Sequence, residues 1–280
     1  MVKYPFRIVN VFTRTGRLSG NPLCVFEDAR GLDDATLQAL ARQMNLSETT
    51  FILPSDKATA RARIFTPAYE MPFAGHPTLG TAHVVRDLLG AGDAVKLEMK
   101  AGIIPVNAAG DRWTLQANAP TYREVAEPRS QLAAILGLAE RDLVERPLWV
   151  AAGKEQLVIP VATAEAVRRA QPKEGFSKIR SVDNHSMAYL VADSGDAAGT
   201  ACVRFFFPSG AAIVEDPATG SACANLGGWF MAMRPGADIE RVVSQGDEIH
   251  RPSTLYLRVK GGAIFVGGDV IDLARGTLEF

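Results

Sequence analysis

Two segments about 140 residues apart follow one plan, and they limit the possible fold more than any other feature of the chain. The first is Arg63-Ile64-Phe65-Thr66-Pro67, followed by Ala74-Gly75-His76-Pro77-Thr78-Leu79-Gly80. The second is Arg204-Phe205-Phe206-Phe207-Pro208, followed by Asp216-Pro217-Ala218-Thr219-Gly220-Ser221-Ala222. Each reads as a strand ending at a proline, a loop, and a small-residue turn that opens a helix. The repetition predicts two similar lobes. A helix start leaves backbone N–H groups unpaired and carries partial positive charge, and glycine lets a ligand approach that backbone. Two such starts suit an anion.

Around these segments the pattern is mostly strand. Residues 6–12, 23–26, 49–53, 61–66, 95–99, 103–106 and 113–116 have β-branched and aromatic content. So do residues 157–161, 187–191, 203–207, 255–259 and 264–266. A helix capped by Asp33 or Asp34 places Leu37, Leu40, Ala41 and Met44 on one face and stops at Asn45. A second starts at Pro77 and stops at Gly90. Residues 130–138 and 163–169 read as further helices, and one starting near Ser221 carries Trp229, Phe230 and Met233. Strands and helices do not alternate regularly, which favours α+β over a doubly wound parallel sheet. Residues 118–128, with Pro120 and Pro128, form the expected linker between the halves.

Composition narrows the function classes. A net charge of −1 gives no overall attraction to nucleic acid or an acidic membrane, so neither is expected as a partner. The longest uncharged run, 217–233, is too rich in Gly, Ser, Thr and Asn for a bilayer span and reads as a buried helix. The first ten residues read as a strand and lack the apolar region of a signal peptide. Cys24, Cys202 and Cys223 are few and scattered, which fits a reducing compartment, so a cytoplasmic location is expected. The four histidines show no metal spacing, and no dinucleotide or phosphate-loop fingerprint is present. Lys57 and Lys154 have no context pointing to a Schiff base. This inventory suits an enzyme that moves protons without cofactor or metal.

Several residues could carry that chemistry, and each also has a plainer reading. Glu48, between a helix end and a strand, is either a solvated or capping glutamate or an acid–base held at a pocket edge. His76 follows the first glycine and can relay a proton or simply satisfy backbone. Asp216 precedes Pro217 and either orients the second turn or helps bind a substrate amine, or simply forms an Asx-turn. Ser221 binds a ligand or caps its helix, and no nucleophile elbow surrounds it. Gly75 and Gly220 offer backbone N–H groups.

Five motifs resemble the PhzF family of phenazine-biosynthesis isomerase-like proteins. They are Gly20-Asn21-Pro22, Met44-Asn45-Leu46-Ser47-Glu48-Thr49-Thr50-Phe51, Pro72-Phe73-Ala74-Gly75-His76-Pro77-Thr78-Leu79-Gly80, Glu215-Asp216-Pro217-Ala218-Thr219-Gly220-Ser221-Ala222 and Gln245-Gly246-Asp247-Glu248-Ile249-His250-Arg251-Pro252-Ser253. They occur in family order across almost the whole chain. The resemblance implies the diaminopimelate epimerase-like fold: two pseudo-symmetric lobes, each a β-barrel-like sheet around a central helix, with the active site in the cleft between them. On that plan residues 1–117, joined by a strand near 269–280, form one lobe, and 118–268 the other. It also implies isomerisation of a dihydro-hydroxyanthranilate-like cyclic amino acid. Glu48 would be the acid–base, and His76 and Asp216 would orient substrate and assist proton transfer. Ser221 and the N–H groups of Gly75 and Gly220 would bind the substrate, including its carboxylate. A homodimer is expected from the family alone. Racemases of this fold use a cysteine at each helix start, and neither turn here has one, so a two-thiol racemase is disfavoured. A catalytically silent carboxylate-binding protein is the other alternative.

Overall fold

The computed structural model describes residues 2–195 and 199–279. The chain divides into one unit of residues 1–116 and 267–280 and another of residues 117–266.

The first unit opens with β1 (Lys3–Val11), β2 (Asn21–Phe26), α1 (Asp34–Met44), β3 (Thr49–Leu53), β4 (Ala60–Phe65) and the short β5 (Glu70–Met71). It continues with α2 (Gly75–Leu89), β6 (Ala94–Met99), β7 (Gly102–Ala109) and β8 (Arg112–Gln116). The second unit holds β9 (Thr121–Glu124), α3 (Arg129–Ile135), β10 (Leu148–Ala151), β11 (Gln156–Pro160), α4 (Ala164–Arg169) and β12 (Ala188–Asp193). Then come β13 (Thr200–Ser209), β14 (Ala212–Asp216), α5 (Gly220–Met233), β15 (Ile239–Gln245) and β16 (Ser253–Lys260). The last strand, β17 (Ala263–Glu279), begins in the second unit and ends in the first.

In the first unit eight strands close on themselves in the order β1, β2, β3, β4, β6, β7, β8, β17 and back to β1. Closure removes free edges. Helix α2 packs on β1, β2, β3, β4, β6, β7 and β8. At Gly80 an added Cβ would lie 2.6 Å from Leu23 Cδ2, so glycine sets how closely the helix meets β2. Helix α1 lies outside the barrel, and Leu37, Leu40 and Ala41 join Phe26, Phe51 and Phe65 in an outer core. Full burial of a side chain such as Leu37 contributes about 1.5–3 kcal/mol.

The second unit repeats this wiring. Strand pairs β1–β2, β2–β3, β3–β4, β4–β5, β4–β6 and β6–β7 correspond to β10–β11, β11–β12, β12–β13, β13–β14, β13–β15 and β15–β16, with the same parallel and antiparallel senses. Its central helix α5 packs on β10, β11, β15 and β16. Gly227 and Gly228 allow that approach: added Cβ atoms would lie 2.8 Å from Ile264 Cγ2 and 2.7 Å from Val150 Cγ1. The fold is α+β and diaminopimelate epimerase-like. Among the described residues no helix is long and apolar enough to cross a membrane.

Three expectations need correction. Residues 118–128 are not an open linker, because β9 pairs there with β10 and Arg123 stacks on Trp149 while binding Glu155. Those partners lie far along the chain, so local composition could not reveal them. Helix α2 starts at Gly75 and not Pro77, because the extended residue that precedes it is Ala74. Pro77 still falls in the first turn, where a missing N–H costs little. The sequence pattern marks none of β5, β10, β14 and β15 as strands.

Candidate active site

Helix α1 ends at Asn45, which takes the left-handed conformation (φ 53°). The short connection that follows places Glu48 directly before the buried Thr49 of β3. The Glu48 side chain is 17% exposed and His76, on the second residue of α2, is 6% exposed. His76 Nδ1 lies 3.0 Å from Glu48 Oε2, and His76 Nε2 lies 3.2 Å from the Asn21 carbonyl oxygen. A carbonyl only accepts, so Nε2 carries a proton and donates to Asn21. Nδ1 then faces the Glu48 carboxyl within hydrogen-bond distance. Phe12, buried and at φ 63°, sits with its ring centroid 6.5 Å from that of His76. A bulky residue at positive φ is strained. Gly268 makes the room, since a Cβ there would meet Phe12 Cδ1 at 2.2 Å.

In the second unit Asp216 ends β14 and its Oδ2 accepts a hydrogen bond from Thr219 Oγ1 at 2.5 Å. The fully buried Gln245 ties this turn together. Its Nε2 donates to the Asp216 carbonyl (2.8 Å) and to Thr219 Oγ1 (2.9 Å), and its Oε1 accepts from the Thr219 N–H (3.2 Å). Ser221 Oγ accepts from Gln156 Nε2 at 3.0 Å. Gln156 Oε1 accepts from Asn225 Nδ2 (2.8 Å), and Asn225 also binds the Lys154 carbonyl (2.9 Å) and the Ala152 N–H (2.7 Å).

The helix starts differ. Helices α1 and α4 are capped by a side chain: Asp33 Oδ1 accepts from the Thr36 N–H at 2.8 Å, and Thr163 Oγ1 from the Ala166 N–H at 3.1 Å. Helix α3, which follows Pro128, has no such cap. Neither central helix has such a cap. Ala74 has no side-chain acceptor to give, and Thr219 points its hydroxyl at Asp216 instead. First-turn donors of both central helices are thus left for other partners. At Gly75 an added Cβ would meet nothing within 4 Å, so the backbone there faces open space.

Burial pushes the Cys24 thiol up to about 12 and the Cys223 thiol higher still, so neither suits proton transfer near neutral pH.

Of the residues singled out from sequence, Glu48 and His76 are brought into contact. Asp216 and Ser221 lie at either end of the turn that opens α5. The supporting amides Gln156, Asn225 and Gln245 were missed. Gln245 carried a signal, since it opens the Gln245-Gly246-Asp247 motif. Gln156 and Asn225 carried none, because their contact spans 69 positions.

A family model described as phenazine biosynthesis-like protein, PhzC-PhzF, matches residues 9–269. The chain is 34% identical to trans-2,3-dihydro-3-hydroxyanthranilate isomerase from Pseudomonas aeruginosa, over 92% of this chain and 94% of that one. It superposes on the Bacillus anthracis phenazine biosynthesis protein of the PhzF family with a TM-score of 0.88, at 26% identity and with all of both chains covered. A probable proline racemase from Agrobacterium radiobacter shares the fold alone, with a TM-score of 0.61 at 11% identity over 99% of this chain and 93% of that one.

Proposed function

We propose that this chain, which belongs to the PhzF family of phenazine biosynthesis-like isomerases, moves a proton and a double bond within a small carboxylate-bearing, cyclic amino acid-like substrate. Glu48 is the acid–base. The observation that carries this reading is the 3.0 Å contact between His76 Nδ1 and the partly buried Glu48 Oε2, with His76 Nε2 held by the Asn21 carbonyl.

The chemistry needs no other reactant. Glu48 takes a proton from one substrate carbon, and the electron pair left behind shifts the adjacent double bond. Glu48, its carboxyl proton exchangeable with solvent, then gives a proton to another carbon and is a carboxylate again. His76, itself held by Asn21, keeps the Glu48 carboxyl in place through Nδ1. A positioned acid–base contributes on the order of 10²–10⁴-fold in rate. The uncapped first turns at Gly75 and Gly220, with Ser221, are assigned to binding the substrate, including its carboxylate, and Asp216 to orienting it. Fixed N–H dipoles also stabilise negative charge that develops beside that carboxylate. A homodimer belongs to the same proposal and rests on family membership.

Incubation with trans-2,3-dihydro-3-hydroxyanthranilate in deuterated buffer tests the reading. Wild type should convert the compound and place deuterium on carbon, and Glu48→Gln should do neither while still binding it. Equal turnover by both proteins would remove Glu48 from the role. Binding without turnover by wild type would favour a silent binding protein.

A further inference from the structure

We propose that Lys154 is the cationic anchor for a carboxylate of the small molecule this protein binds, held beside Ser221 at the start of α5. The inference rests on the reading above for the kind of ligand. It adds a residue that the motifs do not single out.

Lys154 lies in the turn between β10 and β11 and is only partly exposed. Among the described residues no carboxylate lies within ion-pair distance of its ammonium, and Asp183 acts on it only from farther away. Its neighbour Glu155 is already committed to Arg123 (2.8 Å) and to the Val182 N–H (2.7 Å). Most other half-buried cations of the chain are paired: Arg63 with Glu70 and Asp34, Arg204 with Glu215, and Arg241 with Asp193. Removing a charge from water without a partner is costly. Burial accordingly pulls the Lys154 ammonium below the usual lysine range.

The backbone around Lys154 is fixed toward the helix start. Its carbonyl accepts from Asn225 Nδ2, Asn225 holds Gln156, and Gln156 holds Ser221 Oγ. The pairing registers show which residue of the first unit it replaces. Leu157 faces Ala188 as Cys24 faces Thr49, so Lys154, three residues before Leu157, corresponds to Asn21. In both units the carbonyl of this residue is bound by a side chain of the central helix, His76 in one and Asn225 in the other. A neutral amide in the first unit is therefore replaced by an unpaired ammonium in the second. A carboxylate on the ligand is the partner that such a group lacks.

Reductive ¹³C-methylation of the full chain keeps lysine charge and gives each lysine an NMR signal, with Lys154→Arg assigning the one that disappears. Titration with 3-hydroxyanthranilate should move the Lys154 signal saturably, and the corresponding amide should not. Lys154→Gln should weaken calorimetric binding of the acid by about tenfold, the scale of one charge-assisted hydrogen bond. Lys154→Arg should retain most of that affinity, and thermal melts of both variants should match wild type. A Lys154 signal unmoved by 3-hydroxyanthranilate, succinate and acetate would overturn the proposal, as would an equal response to acid and amide. Failure of the Glu48 assignment would show separately, as isotope exchange that survives Glu48→Gln.

Discussion

The two units share the wiring of six strand pairs and differ at the residues proposed to carry the chemistry. In the first, Arg63 on β4 binds Glu70 on β5 (2.8 and 2.7 Å) and covers the ring of Phe65. In the second, Arg204 on β13 binds Glu215 on β14 (2.9 and 2.7 Å) and covers Phe206. Gly75 and Gly220 open the two central helices, and neither helix has a side-chain cap. The reactive positions are not duplicated. Registers make Met187 the counterpart of Glu48, Met71 the counterpart of Asp216, and Ser221 the counterpart of His76. Each carboxylate thus has a methionine as its counterpart in the other unit. A duplicated fold supplies two uncapped helix starts, and on the proposed reading single substitutions give each a different task.

The largest expected effect tests that division directly. Glu48→Gln should lower turnover by about 10²–10⁴-fold, because it removes the proposed acid–base. Met187→Leu, at the corresponding position, should leave turnover near wild type. Comparable losses from both changes would mean that the two positions do not differ in role.

The shared Arg–Glu pair predicts the next effect, on stability. Glu215 is 3% exposed and, among the described residues, has only Arg204 as a close cation, while Glu70 has both Arg63 and Lys100. Arg204 also binds the carbonyls of Arg168 and Ala170 at the end of α4, both at 2.8 Å. Arg204→Met should therefore cost about 3–5 kcal/mol in denaturant unfolding, the range for breaking a buried ion pair. Arg63→Met should cost clearly less, since Lys100 keeps Glu70 neutralised.

The same pairs should respond to pH with opposite signs. Burial pushes the Glu215 carboxyl up, and Asp247 and Glu248 add to the rise against the pull of Arg204. Its folded value exceeds its unfolded one, so its contribution is fully present in acid and is lost as pH rises through the folded value. Burial also works to raise Glu70, but hydrogen bonds from Arg63 and Lys100 outweigh it and hold the carboxyl low. That contribution is present above the unfolded value and is lost as pH falls through the folded one. Plotted against pH across the carboxylate range, the melting temperature of wild type minus that of Glu70→Gln should rise. The same difference for Glu215→Gln should fall. Slopes of one sign would contradict the assignment of the two environments.

The legible part of this molecule was the part written in local chemistry. Proline-ended strands, the Asn45 and Gly90 helix stops, and the two glycine turns marked the repeat and its helix starts. Glu48 and His76 stood in motifs, although nothing local showed that they touch. Strand β9 was read as linker because its stability comes from Trp149 and Glu155, which are distant in sequence. The Gln156–Asn225 bridge behind Ser221 was invisible for the same reason. Lys154 looked inert, because its lack of an acidic partner is a property of the folded surroundings and not of the residues beside it.

The smallest effect distinguishes the central helices from the capped ones. Asp33→Ala removes the cap of α1 and should lower stability, with no change in ligand binding. Ala74→Ser gives α2 the acceptor that it lacks. If the uncapped turn is merely a weak helix end, this change should raise stability by about 1 kcal/mol and leave binding alone. If those donors serve a carboxylate, the new hydroxyl competes for them. Stability should then rise while 3-hydroxyanthranilate binds several-fold more weakly by calorimetry. A gain in stability with unchanged affinity would separate the helix start from the ligand, and would leave the missing cap as an accident of the repeat.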